Sequence, residues 1–339
     1  MQKKHLLLAL VAAAGASTVM AQSSVTLYGR VNTSVERQKV GSVSNTVMQN
    51  NASRFGFKGV EDLGGGLKAG FQLESGFDSS TGAGSAWTHP TTGMSFARQS
   101  EVNLSGGFGM IRLGNFIPES YYATADYVSM HNHETGTSAD AFYQDPVWLT
   151  SGLSTKNKVG YRTPNMGGLV IDAAVSLHEK ATGVNKNGYD LAANYNLGAL
   201  ALGAGYSQVD DDKQLGLRAL YTFGQFTVGG YYQRNDEDVA GTRNNYRLSG
   251  MYALGASEFH VNVGRAAKWS KVADSAATQW TLGYNYNLSK RTKVYTYYTK
   301  VNNGKNASYG YATKDENNNV IRANGLNTSS FAVGVRHNF

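Results

Sequence analysis

The sequence predicts an all-β protein, a 16-stranded antiparallel transmembrane β-barrel, and three observations lead to that prediction. Apolar and polar residues alternate in segments of about ten residues from residue 22 to the C-terminus. The connections between these segments alternate between short and long. The 339 residues include 21 tyrosines and 40 glycines, and only 16% of them are charged. This composition suits a wall with lipid on one side and water on the other.

The N-terminus is typical of a secretory signal peptide, residues 1–21. Two lysines precede an apolar run over 6–16, and small residues favour cleavage after Ala21. The alternative, an N-terminal membrane anchor, would need about 20 apolar residues, and this run is shorter. The sequence therefore predicts that residues 22–339 form the barrel domain.

Each segment carries one apolar face, because successive side chains of a strand point to opposite sides. In the run from Leu169 to Leu177, for example, every second residue is apolar. The predicted strands are 24–36, 53–61, 67–77, 96–105, 109–117, 157–164, 169–179, 188–197, 199–209, 213–223, 225–235, 243–254, 257–268, 277–288, 292–302 and 329–339. Their number is even, as in single-chain bacterial barrels.

The connections divide into short turns and long loops, which is the pattern of barrels with periplasmic turns and extracellular loops. The short turns are 62–66, 106–108, 164–168, 197–198, 224, 255–256 and 289–291. The longest loops are 37–52, 78–95, 118–156 and 303–328. All four prolines fall in loops or at strand ends, since proline cannot donate to a strand ladder.

Several classes of protein fit the sequence poorly. A soluble β-sandwich would bury its alternating faces in a core richer in Val, Ile and Leu, and no propeller repeat is visible. The chain has no cysteine, no nucleophile-elbow motif and no histidine motif for a metal. Basic residues do not cluster with aromatic residues as in nucleic-acid-binding proteins. We therefore expect that the protein is not an enzyme and that it has no cofactor, no metal and no nucleic-acid partner.

Five strings resemble the general porin family of Gram-negative bacteria, in particular its beta-proteobacterial type. They are Val25–Arg30, Ser53–Gly59, Glu61–Ala69, Val159–Pro164 and Val333–Phe339. The resemblance extends over the whole chain after the signal peptide. It implies a homotrimer of 16-stranded barrels in the outer membrane, in contact with its lipid and lipopolysaccharide. It also implies a third extracellular loop folded into the lumen, and a C-terminal strand ending in Phe339 that the barrel-assembly machinery reads.

The implied function is a water-filled channel for the passive diffusion of small hydrophilic solutes and ions, with a weak preference for anions. Three alternatives remain open at this point. A substrate-specific anion channel would share the fold. A non-conducting adhesin would have a narrow or plugged lumen. An outer-membrane enzyme would need a nucleophile, a base and a carboxylate that converge near one rim.

The resemblance further implies basic residues on the barrel wall that face acidic residues of the third loop at the pore constriction. The matching wall residues are Arg30, Arg54, Arg98 and Arg162. Alternation turns Arg30, Arg54 and Arg162 away from the apolar face, and Lys58 shares the phase of Arg54. Each of these arginines could instead pair with a carboxylate of a neighbouring strand, such as Glu74 or Asp172.

Two further expectations concern the region around the third loop. Strict alternation from Val102 would turn Arg98 towards lipid, so its inward orientation requires a bulge or another register. The loop is predicted over 118–156. Its acidic candidates are Glu119, Asp126, Glu134, Asp140 and Asp145, of which we favour Glu119 and Asp126. The sequence has Asn115 where many members of the family have an arginine, which indicates that one basic wall residue is missing.

Overall fold

The computed structural model describes residues 24–85, 95–124, 136–143, 156–180, 185–315, 317 and 319–339. The expected signal peptide, the candidate residue Asp126 and most of the third loop lie outside these ranges. Among the described residues, no helix combines the length and the apolar character that a bilayer-spanning helix requires.

Almost all of the regular structure in the described residues is β-strand. In chain order the strands are β1 (Ser24–Val40), β2 (Val43–Asn50), β3 (Arg54–Gly64), β4 (Leu67–Phe77), β5 (Gly84–Ser85), β6 (Gln99–Gly106), β7 (Gly109–Asn115), β8 (Lys158–Arg162), β9 (Leu169–Ser176), β10 (Gly188–Leu197), β11 (Leu200–Val209), β12 (Asp212–Phe223), β13 (Phe226–Glu237), β14 (Gly241–Leu254), β15 (Ser257–Ala266), β16 (Ala277–Asn287), β17 (Thr292–Asn303), β18 (Thr313–Lys314), β19 (Val320–Ile321) and β20 (Thr328–Asn338). A helix, α1 (Glu119–Thr124), and a 3₁₀ turn, Gly136–Ser138, belong to the third loop.

The sheet closes into a barrel because β1 pairs with β20 along one edge and with β2 and β3 along the other. Every neighbouring pair of wall strands is antiparallel. β2 and β3 pair with successive parts of β1 and together occupy one strand position of the wall. The two-residue β5 pairs with the end of β4 and is not counted as a wall strand, so the wall has 16 strands. This confirms the fold class predicted from the sequence.

The prediction of a long loop over 37–52 was wrong. β1 continues to Val40, a tight turn follows at Gly41 with φ +59°, and β2 runs back from Val43. The segment looked like a loop because it is polar on both of its faces. β2 and β3 are separated by a break at Ala52, whose φ of +57° lies in the left-handed region. This break sits beside Arg54, one of the candidate wall residues.

The barrel wall is apolar outside and polar inside. In β1 the outward residues Leu27 and Val35 are exposed, whereas the inward residues Asn32 and Glu36 are fully buried. Buried polar groups are costly unless they are hydrogen-bonded. Here, for example, the Tyr297 hydroxyl donates to Glu36 Oε1 at 2.5 Å. The inner wall is thus a connected polar lining.

Aromatic rings form a continuous chain on the outer surface of β12 to β16. Ring centroids of successive members lie 4.8 to 6.3 Å apart. The members are Tyr221, Phe223, Phe226, Tyr252, Phe259 and Tyr284. They lie beside the short turns, where tyrosine stabilises a barrel at the boundary between lipid and water.

The helix α1 lies directly on the inner wall, as expected for an inward-folded third loop. A Cβ atom built on Gly203 would come within 1.9 Å of the Ala123 carbonyl oxygen, and one on Gly205 within 2.7 Å of the Ser120 oxygen. The Ser120 amide donates to Asp190 Oδ1 at 3.2 Å. Glycines of β11 therefore create the groove into which the loop fits.

Candidate functional site: the pore constriction

Glu119, the first residue of α1, joins two arginines of the barrel wall. Its Oε1 atom lies 2.6 Å from Arg112 Nη1 and 2.8 Å from Arg162 Nη2. The same arginines also pair with wall carboxylates, Arg112 with Glu101 at 2.6 Å and Arg162 with Asp172 at 2.6 Å. Basic wall residues and an acidic loop residue thus meet at one place in the lumen.

Two of the sequence predictions describe parts of this cluster. The structure brings Glu119 and Arg162 together, and it also forms the alternative pair of Arg162 with Asp172. Sequence reasoning missed Arg112, although Ile111 and Leu113 point outward and alternation therefore turns Arg112 inward. Arg112, rather than residue 115, supplies the cation on this strand.

Phe116 supports this cluster from the beginning of the third loop. The Arg112 guanidinium lies 4.2 Å from the centroid of its ring, and the ring itself lies over Gly160. The buried Lys158 ammonium donates to the Phe116 carbonyl oxygen at 3.0 Å. These contacts hold the start of the loop against β7 and β8 and thereby position Glu119.

A second cluster lies on β3 and β4 and is centred on Glu74. Arg98 Nε lies 2.7 Å from Glu74 Oε1, and Arg54 Nε lies 3.6 Å from Oε2. Arg98 precedes the first residue of β6, so strand alternation does not govern its orientation. The structure therefore places Arg98 beside an inward carboxylate without a bulge in β6.

The remaining candidates lie nearer the short-turn end of the barrel. Arg30 stands opposite Arg54 in the register of β1 and β3, and its Nε donates to Asn338 Oδ1 at 2.8 Å. The exposed Lys58 has its ammonium 5.4 Å from the centroid of the Tyr28 ring. The structure does not bring Lys58 to the Glu119 cluster.

Phe339 extends the pairing of β20 with β1 by one residue. Its amide and carbonyl groups both hydrogen-bond to Gly29, each at 3.0 Å, and its ring covers that glycine. The aromatic terminus thus seals the strand pair that closes the barrel. Its role as an assembly signal stays a prediction.

A polar cavity of about 590 Å³ opens beside the Glu119 cluster. Its lining residues include Arg112, Glu119, Arg162, Tyr122 and Arg218. Arg218 Nη2 donates to Asn194 Oδ1 at 3.2 Å, which directs this further arginine along the inner wall. The lining of the cavity therefore includes three cations and one carboxylate.

The later part of the third loop is clamped to the opposite wall. Asp140 Oδ1 lies 2.6 Å from Arg247 Nη2, and both side chains are essentially inaccessible to solvent, at 1% and 0% exposed. The Tyr231 hydroxyl also donates to Asp140, and Arg247 Nη1 donates to Asn262 Oδ1 at 2.5 Å. The candidate acidic residue Asp140 thus holds the loop in place and does not line open lumen.

The comparisons with known proteins agree with this architecture. The family model for Gram-negative porins matches residues 7–307. The chain belongs to the Gram-negative porin family. As a porin of the outer membrane, it forms a water-filled channel through which small hydrophilic solutes diffuse.

Three similar proteins place this porin among its relatives. Outer membrane porin protein 32 of Delftia acidovorans is 33% identical over 374 residues, covering 100% of both chains. An anion-selective porin from Comamonas acidovorans has a TM-score of 0.76 and 29% identity over 94% of this chain and 100% of its own. A trimer form of OmpT from Vibrio cholerae has a TM-score of 0.68 and 14% identity over 94% and 99%, which shows the fold alone.

Proposed function

We propose that this porin prefers anions and that the cluster around Glu119 sets the preference. The observation that carries the proposal is the unequal exposure of its charges. The Arg162 side chain is 34% exposed, whereas Glu119 is 15% and Asp172 is 7% exposed. Arg162 is thus the most accessible charge of the cluster, whereas Arg112, at 8%, is about as buried as the carboxylates. The similarity to an anion-selective porin supports the same preference.

The proposed mechanism is electrostatic and includes no chemical step. A low-dielectric wall focuses the field of the charges that line a pore, so exposed arginines raise the local concentration of anions. Glu119 holds two guanidinium groups in place and moderates their charge. This arrangement accounts for a modest preference rather than strict exclusion of cations. Because the family consists of channels, we propose that the chain is not an enzyme.

The test is the reversal potential of the purified protein in a planar bilayer under a KCl gradient. We expect the wild-type potential to have the sign of an anion-preferring pore. Glu119→Gln should raise the chloride-to-potassium permeability ratio, and Arg162→Gln should lower it. Each change should be about fivefold, because a unit charge at 4 Å in water contributes roughly 1 kcal/mol.

Lys186→Gln serves as the control, since this lysine is exposed and belongs to a loose pair with Asp210 at 3.8 Å. It should leave the permeability ratio unchanged. A cation-signed potential in the wild type would contradict the proposed preference. Absence of conductance in well-folded protein would contradict the assignment of an open pore and favour the non-conducting alternative.

We also propose that the porin forms homotrimers through the outer face of β20, β1, β3, β4, β6 and β7. The described outward positions of these strands carry no Tyr or Trp, the residues that favour the boundary between lipid and water. They carry apolar residues such as Val31, Val102 and Val333. The aromatic chain lies on β12 to β16 instead. A face whose described outward positions carry no Tyr or Trp suits contact with protein.

Two matched substitutions test the trimer. Val102→Arg places a charge on the proposed interface, and Val261→Arg places it on β15, at a residue of similar exposure. A charge on the lipid face costs about 2–4 kcal/mol at mid-depth, so both variants should insert less well. We expect only Val102→Arg to yield monomers on native electrophoresis. Trimers from Val102→Arg, or monomers from Val261→Arg alone, would contradict the proposed face.

A further inference from the structure

A separate group of cations lies in the lumen near the short-turn end, on three neighbouring strands. Lys293 of β17 stands directly opposite Arg336 of β20. On the next strand, Arg30 of β1 lies two positions from Asn32, the register partner of Arg336. Alternation places all three cations on the inner face, since the adjacent Val335 and Val31 are exposed on the outer surface.

Two of these cations form no ion pair in the described parts of the chain, although the Glu258 carboxylate interacts with both at longer range. The side chains of Lys293 and Arg336 make no hydrogen bond to a described residue, and no described carboxylate lies within 4.0 Å of either. The carboxylate that acts on both cations, Glu258, already accepts hydrogen bonds from side-chain amide groups of β16. Asn285 donates to its Oε2 atom at 2.8 Å, and Asn287 donates to its Oε1 atom at 2.7 Å.

This arrangement is unfavourable by itself. Residues directly opposite in antiparallel strands have Cα atoms about 4.5–5.5 Å apart, and like charges in such a pair destabilise the sheet. By contrast, Arg112 and Arg162, at the constriction, are each paired with two carboxylates. An anion from solution would remove the repulsion between Lys293 and Arg336.

We propose that Lys293, Arg336 and Arg30 form a binding site for small oxyanions with two negative charges, such as inorganic phosphate. A guanidinium group presents a planar fork of donors that matches phosphate oxygens, and an ammonium group supplies a compact point charge. Arg30 is already oriented by its hydrogen bond to Asn338. The supply of anions to the site from outside rests on the proposed anion preference, because such an anion passes the constriction first.

Binding at this site would make the passage of such anions saturable. A solute that pauses in a pore reduces the current of other ions, and conduction persists only where binding is weak enough for release. Chloride carries one charge and has no pair of oxygen atoms to accept from a guanidinium group, so it should bind more weakly at the site. Phosphate should therefore inhibit the chloride current while it is itself transported.

The experiment measures chloride current through single channels while inorganic phosphate is added on the short-turn side. We expect phosphate to reduce the wild-type current with saturation, and acetate, which carries one charge, to do so much more weakly. In Lys293→Gln and in Arg336→Gln, the phosphate concentration for half-inhibition should rise about tenfold, the effect of one lost charge-assisted hydrogen bond. Current without phosphate and the heat-modifiable gel mobility report that each variant is folded.

Lys68→Gln is the matched control, because Lys68 also lies at the short-turn end and shares the inward phase of Glu74 on β4. It should keep the wild-type response. Equal loss in Lys68→Gln and Lys293→Gln would overturn the site in favour of a diffuse field, and so would a wild-type current insensitive to phosphate. The KCl reversal potential is read separately. A cation-signed potential with phosphate inhibition intact would contradict the proposed preference and leave the site standing.

Discussion

Asp140→Asn is expected to release the later part of the third loop and to destabilise the barrel by about 3–5 kcal/mol, the usual cost of leaving one member of a buried ion pair unpaired. The substitution removes the charge that Arg247 contacts at 2.6 Å, while neither side chain reaches solvent. Phe142 and Ala141, which follow Asp140, are buried against the wall and would lose their anchor. The loop would then fluctuate in the bore.

Two measurements report the loss of stability and the release of the loop. The temperature at which the folded band disappears on a gel should fall, and the noise of the open-channel current should rise. Asp210→Asn is the control, because Asp210 pairs with Lys186 at 3.8 Å with 59% of its side chain exposed, and exposed pairs contribute about 0–1 kcal/mol. The double variant Asp140→Leu with Arg247→Met should regain most of the stability, since apolar pairs replace buried ion pairs well.

An equal loss of stability in Asp140→Asn and Asp210→Asn would show that the number of charges, and not the ion pair of Asp140 with Arg247, governs stability. A wild-type melting temperature with quiet current in Asp140→Asn would show that the loop is held by other contacts. The Glu36 carboxylate is the first of these to examine, because it accepts from Thr137 Oγ1 at 2.8 Å on the same part of the loop.

The second large effect is expected from Gly203→Ala on the inner face of β11. The added Cβ would lie 1.9 Å from the Ala123 carbonyl oxygen, well inside contact distance, and the obstacle is backbone. Overpacking of this kind costs about 1–3 kcal/mol, and the helix α1 must move into the bore. That movement would separate Glu119 from Arg112 and Arg162. We expect lower single-channel conductance together with a stronger preference for anions.

Gly107→Ala provides the matched control for this substitution. It adds the same methyl group in a short turn, where nothing lies within 4 Å of the new atom. It should leave both conductance and the melting temperature unchanged, apart from a small gain of about 0.4–1 kcal/mol from the stiffer unfolded chain. Wild-type conductance and selectivity in Gly203→Ala would contradict the docking of α1 on this glycine.

Much of the fold follows from one local property of the sequence. Alternation with period two depends only on the geometry of an extended chain, so it predicts the strands and the face on which each side chain lies. It correctly turns Arg30, Arg54 and Arg162 inward, and the same rule applied to β7 would have found Arg112. It failed over 37–52, where both faces are polar and alternation carries no signal.

The candidate site is less accessible to such reasoning. Alternation predicts the face on which a side chain lies but not its partner. Arg98 lies outside a regular strand, so alternation predicts no face for it. The position of Glu119 could be inferred only from the family resemblance. The clamp by Asp140 joins residues 107 positions apart, and no local pattern marks it.

The amino-acid sequence by itself determined that this chain is a 16-stranded barrel with a polar interior and an apolar exterior, because strand periodicity and turn residues act over a few neighbouring positions. Only the tertiary structure decided which carboxylates pair with Arg112 and Arg162, where the described parts of the third loop dock, and that Lys293 and Arg336 stand opposite each other with no ion-pair partner among the described residues. These features arise from barrel closure and strand register, which bring distant residues within a few ångströms. Selectivity depends on such distances, since the energy of two charges depends on their separation and surroundings.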